Sequence, residues 1–377
     1  MSKGMFPTTH LGEIVTFLDH KRVPVKESER RSGPFPYYGA NGQQGWIDGY
    51  LFDEPLVLLA EDGGHFYAPD RGIAYRVSGR TWVNNHAHVL RPKAVVDLAF
   101  LCRVLENYDV TPFLTGTTRG KLTQAGAARI PVPLPPLQEQ RRIAAVLDRT
   151  DALRTQRRVA LERSETLKQS LFLEMFGDVV RNERHWHLVP FGSVCESRLG
   201  KMVDQKRETG RYAKPYLRNA NVQWFGFDLS AVDEMDFHPE EQEKFRLKPG
   251  NLIICEGGHP GRAAIWTGEM EECYYQKALH RGKVLSGRAT PEYLVWLLWF
   301  LVHFGGLKDH VTSATISHLT GVKLKSIRIP LPPLNRQEEF ARRLVEVDKV
   351  STTLSASLVG QDVLFASLQR RAFAGAL

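Results

Sequence analysis

Residues Ile130 to Leu137 read IPVPLPPL, and residues Ile327 to Leu334 read IRIPLPPL, 197 positions later. The match runs on without a gap. Downstream, Gln140, Ala144, Leu147, Asp151, Leu161, Leu167, Ser170, Leu171 and Phe176 return as Gln337, Ala341, Leu344, Asp348, Leu358, Leu364, Ser367, Leu368 and Phe373. Upstream, Thr115, Thr118, Leu122 and Thr123 return as Thr312, Thr315, Leu319 and Thr320. An internal repeat has to be found before anything else, because it dictates the architecture. Ahead of these blocks the likeness fades, although Glu61-Asp62-Gly63-Gly64-His65 is echoed by Glu256-Gly257-Gly258-His259. The order is variable unit, shared unit, variable unit, shared unit.

The shared units read as long helices. A Pro pair stands where each would begin, since Pro is tolerated in a first turn, and no Pro or Gly interrupts the first copy before Gly177. Val146, Leu153, Ala160 and Leu167 recur every seven residues in the first copy. In the second, Phe340, Val347, Leu354 and Leu368 hold one heptad position, interrupted by Gln361, and Leu344, Leu358 and Phe365 fill the seam. A helix of roughly 40 residues spans about 60 Å and is not stable alone. The two copies are expected to pair with each other; the other reading packs each on its own variable unit. The variable units read as β-rich, with short apolar runs between turn formers, each closed by an apolar helix at Leu98–Leu105 and Tyr293–Phe304. The expected fold class is therefore α+β, with boundaries at 1–133, 134–178, 179–330 and 331–377.

The chain has 377 residues and a formal charge of +8, with no run of five or six like charges, which favours a polyanionic partner. The apolar stretch at Tyr293–Phe304 is too short to cross a bilayer, and the N-terminus lacks the pattern of a secretory signal. Four scattered cysteines do not make a disulfide framework, so a reducing cytoplasm is expected.

Catalytic motifs are missing. Gly120-Lys121, Gly200-Lys201 and Gly282-Lys283 lack the Ser or Thr that a P-loop places after its Lys, and there is neither a GxGxxG nor an Asn/Asp-Pro-Pro-aromatic sequence. Pro69-Asp70 and Gln242-Glu243-Lys244 lie too far apart to read as a nuclease signature. Cys255, His259, Cys273 and His280 have a loose zinc-like spacing without a knuckle, and His86 and His88 share a strand face without a third ligand nearby. What remains is recognition chemistry. Side chains able to bond base edges or phosphates cluster at turns: Tyr38, Asn41 and Gln43; Asn84, Asn85 and His86; Thr118, Arg119 and Lys121. The second variable unit offers Arg218, Asn219 and Asn221; His259 and Arg262; Gln276 and Lys277; Thr315 and His318. Any of these also suits an ordinary turn.

Together these features resemble the DNA-specificity subunit of type I restriction-modification systems. The resemblance rests on PLPPLQEQ (Pro133–Gln140) and PLPPLNRQ (Pro330–Gln337), and on YYGANGQQGWIDGY (Tyr37–Tyr50) and WVNNHAHVL (Trp82–Leu90) in the first variable unit. The second unit lacks the last two phrases, and Arg336 stands where Glu is usual. The resemblance implies two target-recognition domains related by a pseudo-twofold axis and joined by an antiparallel coiled-coil spine that sets the gap between two half-sites. It implies double-stranded DNA, two methyltransferase subunits and restriction/translocase subunits as partners. S-adenosylmethionine, ATP and Mg would belong to those partners, leaving this chain without cofactor, metal or catalytic residue. The alternative from another class is a coiled-coil scaffold with two protein- or carbohydrate-binding modules.

Overall fold

The computed structural model describes residues 6–68, 71–116, 120–202, 208–308 and 318–377. Two compact units divide it: Met1–Val159 with Ser355–Leu377, and Ala160–Leu354. No helix among the described residues is long and apolar enough to cross a membrane.

The first unit opens with β1 (Thr8–His10), α1 (Leu11–Ile14) and β2 (Val15–Phe17). Seven strands follow: β3 (Phe35–Gly39), β4 (Gly42–Ile47), β5 (Phe52–Asp53), β6 (Leu56–Ala60), β7 (Ala74–Val77), β8 (Arg80–Val83) and β9 (Ala87–Pro92). Two four-stranded sheets result, in the orders β2-β9-β6-β7 and β4-β3-β8-β5. The run LVLLA of β6 is apolar throughout because both its faces are covered. Val57 and Leu59 enter the cluster beneath the helices, while Leu56 and Leu58 enter the cluster toward the second sheet. Helix α2 (Leu98–Leu105) starts at Asp97, whose carboxylate accepts from the Ala99 and Phe100 amides. Then come α3 (Gln124–Ala128), capped by Thr123, and β10 (Pro131–Pro133), which pairs antiparallel with β1. Helix α4 (Leu137–Phe176) follows the Pro pair without interruption.

The second unit repeats this plan. Its strands are β11 (Leu188–Pro190), β12 (Cys195–Leu199), β13 (Ala213–Leu217), β14 (Val222–Gln223), β15 (Gly226–Phe227) and β16 (Asp233–Asp236), then, after α5 (Pro239–Phe245), β17 (Asn251–Cys255), β18 (Ala263–Trp266), β19 (Tyr274–Tyr275) and β20 (Leu279–Val284). Helices α6 (Pro291–His303) and α7 (Gly321–Ser326), strand β21 (Arg328–Pro330) and helix α8 (Leu334–Phe373) complete the chain. The sheet β12-β20-β17-β18 matches β2-β9-β6-β7, and β11 pairs with β21 as β1 does with β10. Strand β17 divides its side chains as β6 does: Leu252 and Ile254 face the helices, Ile253 and Cys255 the other cluster. The parallel pair β3/β8 in the first unit also returns as β13/β19. All four cysteines are free and buried.

The long helices pair antiparallel within each unit. In the first, Arg154 meets Asp362 at 2.6 Å and its guanidinium lies over the Phe365 ring. In the second, Ser164 and Ser351 hydroxyls are 2.9 Å apart, Lys168 meets Asp348 at 2.6 Å, and Phe172 packs edge-on against Phe340. Each half of the spine also packs on its own sheet domain, so both readings of the apolar stripes hold.

The α8 stripe reads correctly: Phe340, Leu344 and Phe365 are buried, with Val347, Leu354, Leu358 and Leu368 half-buried. The α4 stripe needs correction, because Leu153 and Leu167 are 48% and 54% exposed. The covered face of α4 is Ile143, Leu147, Thr150, Arg154, Arg157, Leu161, Ser164, Lys168, Leu171 and Met175, a regular alternation of three- and four-residue steps. Its middle is polar. Arg and Lys lay their apolar stems along the seam and pair their heads there, which a search for apolar residues misses.

The repeated glutamines join spine to domain. Gln140 is fully buried; its carbonyl oxygen accepts from the Asp97 amide at 2.8 Å, and its amide donates to the Pro135 and Val95 carbonyls. Gln337 does the same for the Thr290 amide and the Pro332 carbonyl. Gln140→Leu leaves the buried Pro135 carbonyl and the part-buried Asp97 amide and Val95 carbonyl without their partner, and is expected to destabilise the first unit by about 3 kcal/mol, since each buried group so stranded costs ~1–3 kcal/mol. Chemical denaturation checks this, and an unchanged midpoint would contradict it.

Candidate nucleic-acid interface

Turn residues far apart in sequence converge at one end of the β6 sheet. The β3–β4 hairpin places Tyr38 opposite Gln43, and Asn41 at its tip donates to the Gly63 carbonyl at 2.9 Å. The chain after β8 is tied in by the Asn84 amide, which donates to the Tyr38 carbonyl at 3.0 Å. Asn84 is buried: its side-chain amide donates to Gln44 Oε1, and its oxygen accepts from the His86 amide at 2.8 Å. A Cβ on Gly39 would lie 2.8 Å from Asn84 Nδ2, so glycine is what lets β3 run this close. Glu61 receives the other segments: its amide donates to the His86 carbonyl and its carbonyl accepts from the Leu122 amide, both at 2.8 Å. The His86 ring meets the Asp62 carboxylate, and Lys121 Nζ meets Glu61 at 2.9 Å. Asn41, Gln43, Asn85 and Lys121 are exposed around this junction. Thr118 and Arg119 lie outside the described residues.

The second unit builds the same junction from different residues. The Gln276 amide donates to the Leu217 carbonyl at 3.2 Å, as Asn84 does to Tyr38. The Glu256 amide donates to the Ala278 carbonyl at 2.9 Å, and the Glu256 carbonyl accepts from the Leu319 amide at 2.7 Å. Asn219 donates to the Gly257 carbonyl at 3.0 Å, in the manner of Asn41, and Arg262 in turn donates to the Asn219 carbonyl. His259 and Lys277 are exposed, as is His318. Arg218 pairs with Asp233 at 2.9 Å. Asn221 is buried, its amide spent on the Asp228 and Ala231 carbonyls. Thr315 lies outside the described residues. Asn84 and Asn221 thus bond within their own units, and neither offers a free polar edge.

The metal-like spacings do not assemble. Cys255 and Cys273 sit in one buried cluster, His280 points to the opposite face of the sheet with Ile254, and His259 is exposed. His86 and His88 diverge: His88 is fully buried between Asp19, 2.6 Å from Nδ1, and the Leu122 carbonyl, 2.7 Å from Nε2. Asp19, Glu61 and His88 lie close enough to share an ion, but Arg22 reaches Glu61 at 2.6 Å and Asp19 at 3.6 Å and supplies the positive charge. Burial raises both carboxyls most strongly, yet the hydrogen bonds and charges of His88, Val89 and Arg22 on Asp19, and of Arg22, Lys121 and His88 on Glu61, together outweigh it and hold both below their ordinary values. No local pattern points to this ion network, because Asp19 and His88 are 69 residues apart and Arg22 and Glu61 are 39 apart.

Lys201, ahead of the Gln276 turn, is held by Glu241 at 2.6 Å and accepts the Lys277 amide on its carbonyl. Beside it, the buried Asp236 carboxylate accepts from the amides of Thr209, Gly210 and Tyr212 and from the Thr209 hydroxyl. Those bonds, the Thr209 amide foremost, lower its pKa from 3.8 to about 2. A depressed carboxylate stabilises the fold above its unfolded pKa and loses that contribution as pH falls through the folded one. Stability of the second unit should therefore decline as the pH drops from 3.8 toward 2. Asp236→Asn should flatten that limb in thermal melts, and an unaltered acid profile would refute the assignment.

The family model described as type I restriction modification DNA specificity domain matches residues 6–163 and 183–358. A protein of Haemophilus influenzae named as a type I restriction enzyme specificity subunit is 30% identical over 355 residues, covering 92% of this chain and 89% of that protein. The EcoKI specificity subunit of Escherichia coli is 22% identical over 314 residues, covering 77% and 68%. In fold, the chain is similar to the crystal structure of the type I restriction-modification S subunit of M. genitalium, with a TM-score of 0.62 at 13% identity over 99% of this chain and 97% of that one. With two matched domains spanning most of its length, the chain belongs to the type I restriction modification DNA specificity family.

Proposed function

We propose that each unit reads one half of a two-part DNA site, and that the chain itself catalyses nothing. One observation carries this reading: the same hydrogen-bonded junction is built twice, once per unit, each time surrounded by different exposed polar side chains. A constant frame with variable contacts suits two readers of different sequence. Tyr38, Asn41, Gln43, Asn85, His86 and Lys121 are the proposed contacts in the first unit. In the second they are Arg218, Asn219, His259, Arg262, Gln276, Lys277 and His318. Thr118, Arg119 and Thr315 are kept as proposed contacts from sequence alone. Cations among them would supply the salt-dependent phosphate contribution, and amides and imidazoles the base edges.

Methyltransferase subunits are the proposed partners along the spine, joined by restriction/translocase subunits, with S-adenosylmethionine, ATP and Mg bound by those proteins in the cytoplasm. Supporting this, both units leave apolar side chains open to solvent on the long helices: Leu153, Val359, Val363 and Leu364 in the first, Leu167, Val345 and Val350 in the second. Val359 and Val363, four residues apart, share one face of α8, and exposed apolar residues grouped in this way suit a partner surface. The helices would then act as the ruler between half-sites.

Co-expression with methyltransferase subunits, followed by sequencing of modified bases, should return a motif of two short parts separated by a fixed gap. Exchanging residues 1–128 for another reader should change one part only. A continuous motif, or simultaneous change of both parts, would overturn the two-reader assignment.

A further inference from the structure

Two buried histidines occupy the same place in the two units. His88 is the second residue of β9 and lies opposite Leu59; His280 is the second residue of β20 and lies opposite Ile254. Each donates from Nε2 to a leucine carbonyl, His88 to Leu122 at 2.7 Å and His280 to Leu319 at 2.9 Å. Both leucines are fully buried. Their amides donate to the Glu61 and Glu256 carbonyls, so each leucine is held on both sides of its peptide unit. The next residue, Thr123 or Thr320, caps a helix. Directly ahead of each leucine stands an exposed proposed contact, Lys121 or His318.

The surroundings of the two rings have little else in common. His88 has Asp19 on Nδ1 and the edge of Phe17 against its ring. At the equivalent of Asp19, Leu199 pairs in register with His280, and His280 Nδ1 is buried without a partner. The bond to the leucine carbonyl persists where its neighbourhood does not. A buried ring nitrogen left without a partner is tolerated only where the bond made by the other nitrogen is worth keeping.

We infer that His88 and His280 are positioning residues for half-site recognition, each fixing to the sheet the leucine that directly follows an exposed proposed contact, Lys121 before Leu122 and His318 before Leu319. This rests on the two-reader function proposed above. Neither histidine touches DNA; each acts through the leucine it holds, and each governs only its own half-site.

The test uses the chain assembled with its methyltransferase subunits and compares methylation of the intact site with sites altered in one half or the other. His280→Phe is the cleanest variant, because it removes the donor together with the unpartnered Nδ1 while keeping a ring in the core. It should cut discrimination in one half-site about tenfold, the scale of one mismatched base pair, and leave the other half unchanged. His280→Gln, which returns a donor near the Nε2 position, should recover most of the loss. His88→Phe and His88→Gln should do the same for the opposite half. If His88→Phe fails to assemble because Asp19 loses the His88 bond, the His280 pair decides alone. A folded His280→Phe complex with both half-sites intact, or equal loss at both, overturns the inference. A parent complex that reads no two-part site would instead remove the function on which it rests.

Discussion

In each unit the loops are held by a main-chain junction at the end of the central strand. Glu61 and Glu256 each use both backbone groups there, the amide toward the turn ahead of the next strand and the carbonyl toward the leucine that ends the Thr-rich segment. Backbone bonds of this kind do not depend on which side chain is present, so the residues around them are free to differ. That is the physical basis for two readers with one frame. The side-chain bonds from Asn41 to Gly63 and from Asn219 to Gly257 add to it from the hairpin side.

The same position in the repeat can be secured by opposite chemistry. In the first unit Arg103 of α2 is buried and bonded to Asp148 and Asp151 of α4 and to Glu106. In the second, Trp296 of α6 stands at the corresponding position after the cap, within an aromatic cluster of Phe172, Phe300 and Phe340. A buried ion pair is costly to break on one side, because the remaining charge is stranded, whereas an aromatic cluster loses mainly contact area. Both solutions fix helix to spine, and they should respond differently to salt and pH.

Much of the fold was legible. The repeat, the uninterrupted helices after the Pro pairs, the apolar closing helices and the strands around Leu56–Ala60 and Asn251–Cys255 are all local patterns, set by propensity and by burial on one face or two. The α4 stripe is not marked by its leucines, since Arg154 and Lys168 occupy seam positions where only a partner helix makes a charge acceptable. Among the candidate contacts, Asn84 and Asn221 cannot be told from free readers by sequence, because folding spends the first on the Gln44 side chain and the second on the Asp228 and Ala231 carbonyls. In the sequence, His88 and His280 stand out only within metal-like spacings.

The sequence by itself determined that there are two units, what each is made of, and that two long helices follow them, because repeats, periodicity and Pro placement act over a few residues at a time. Tertiary structure decided which polar groups are spent inside and which remain open to a partner. That choice rests on hydrogen bonds between segments tens of residues apart, such as His280 to Leu319, and no local pattern encodes it.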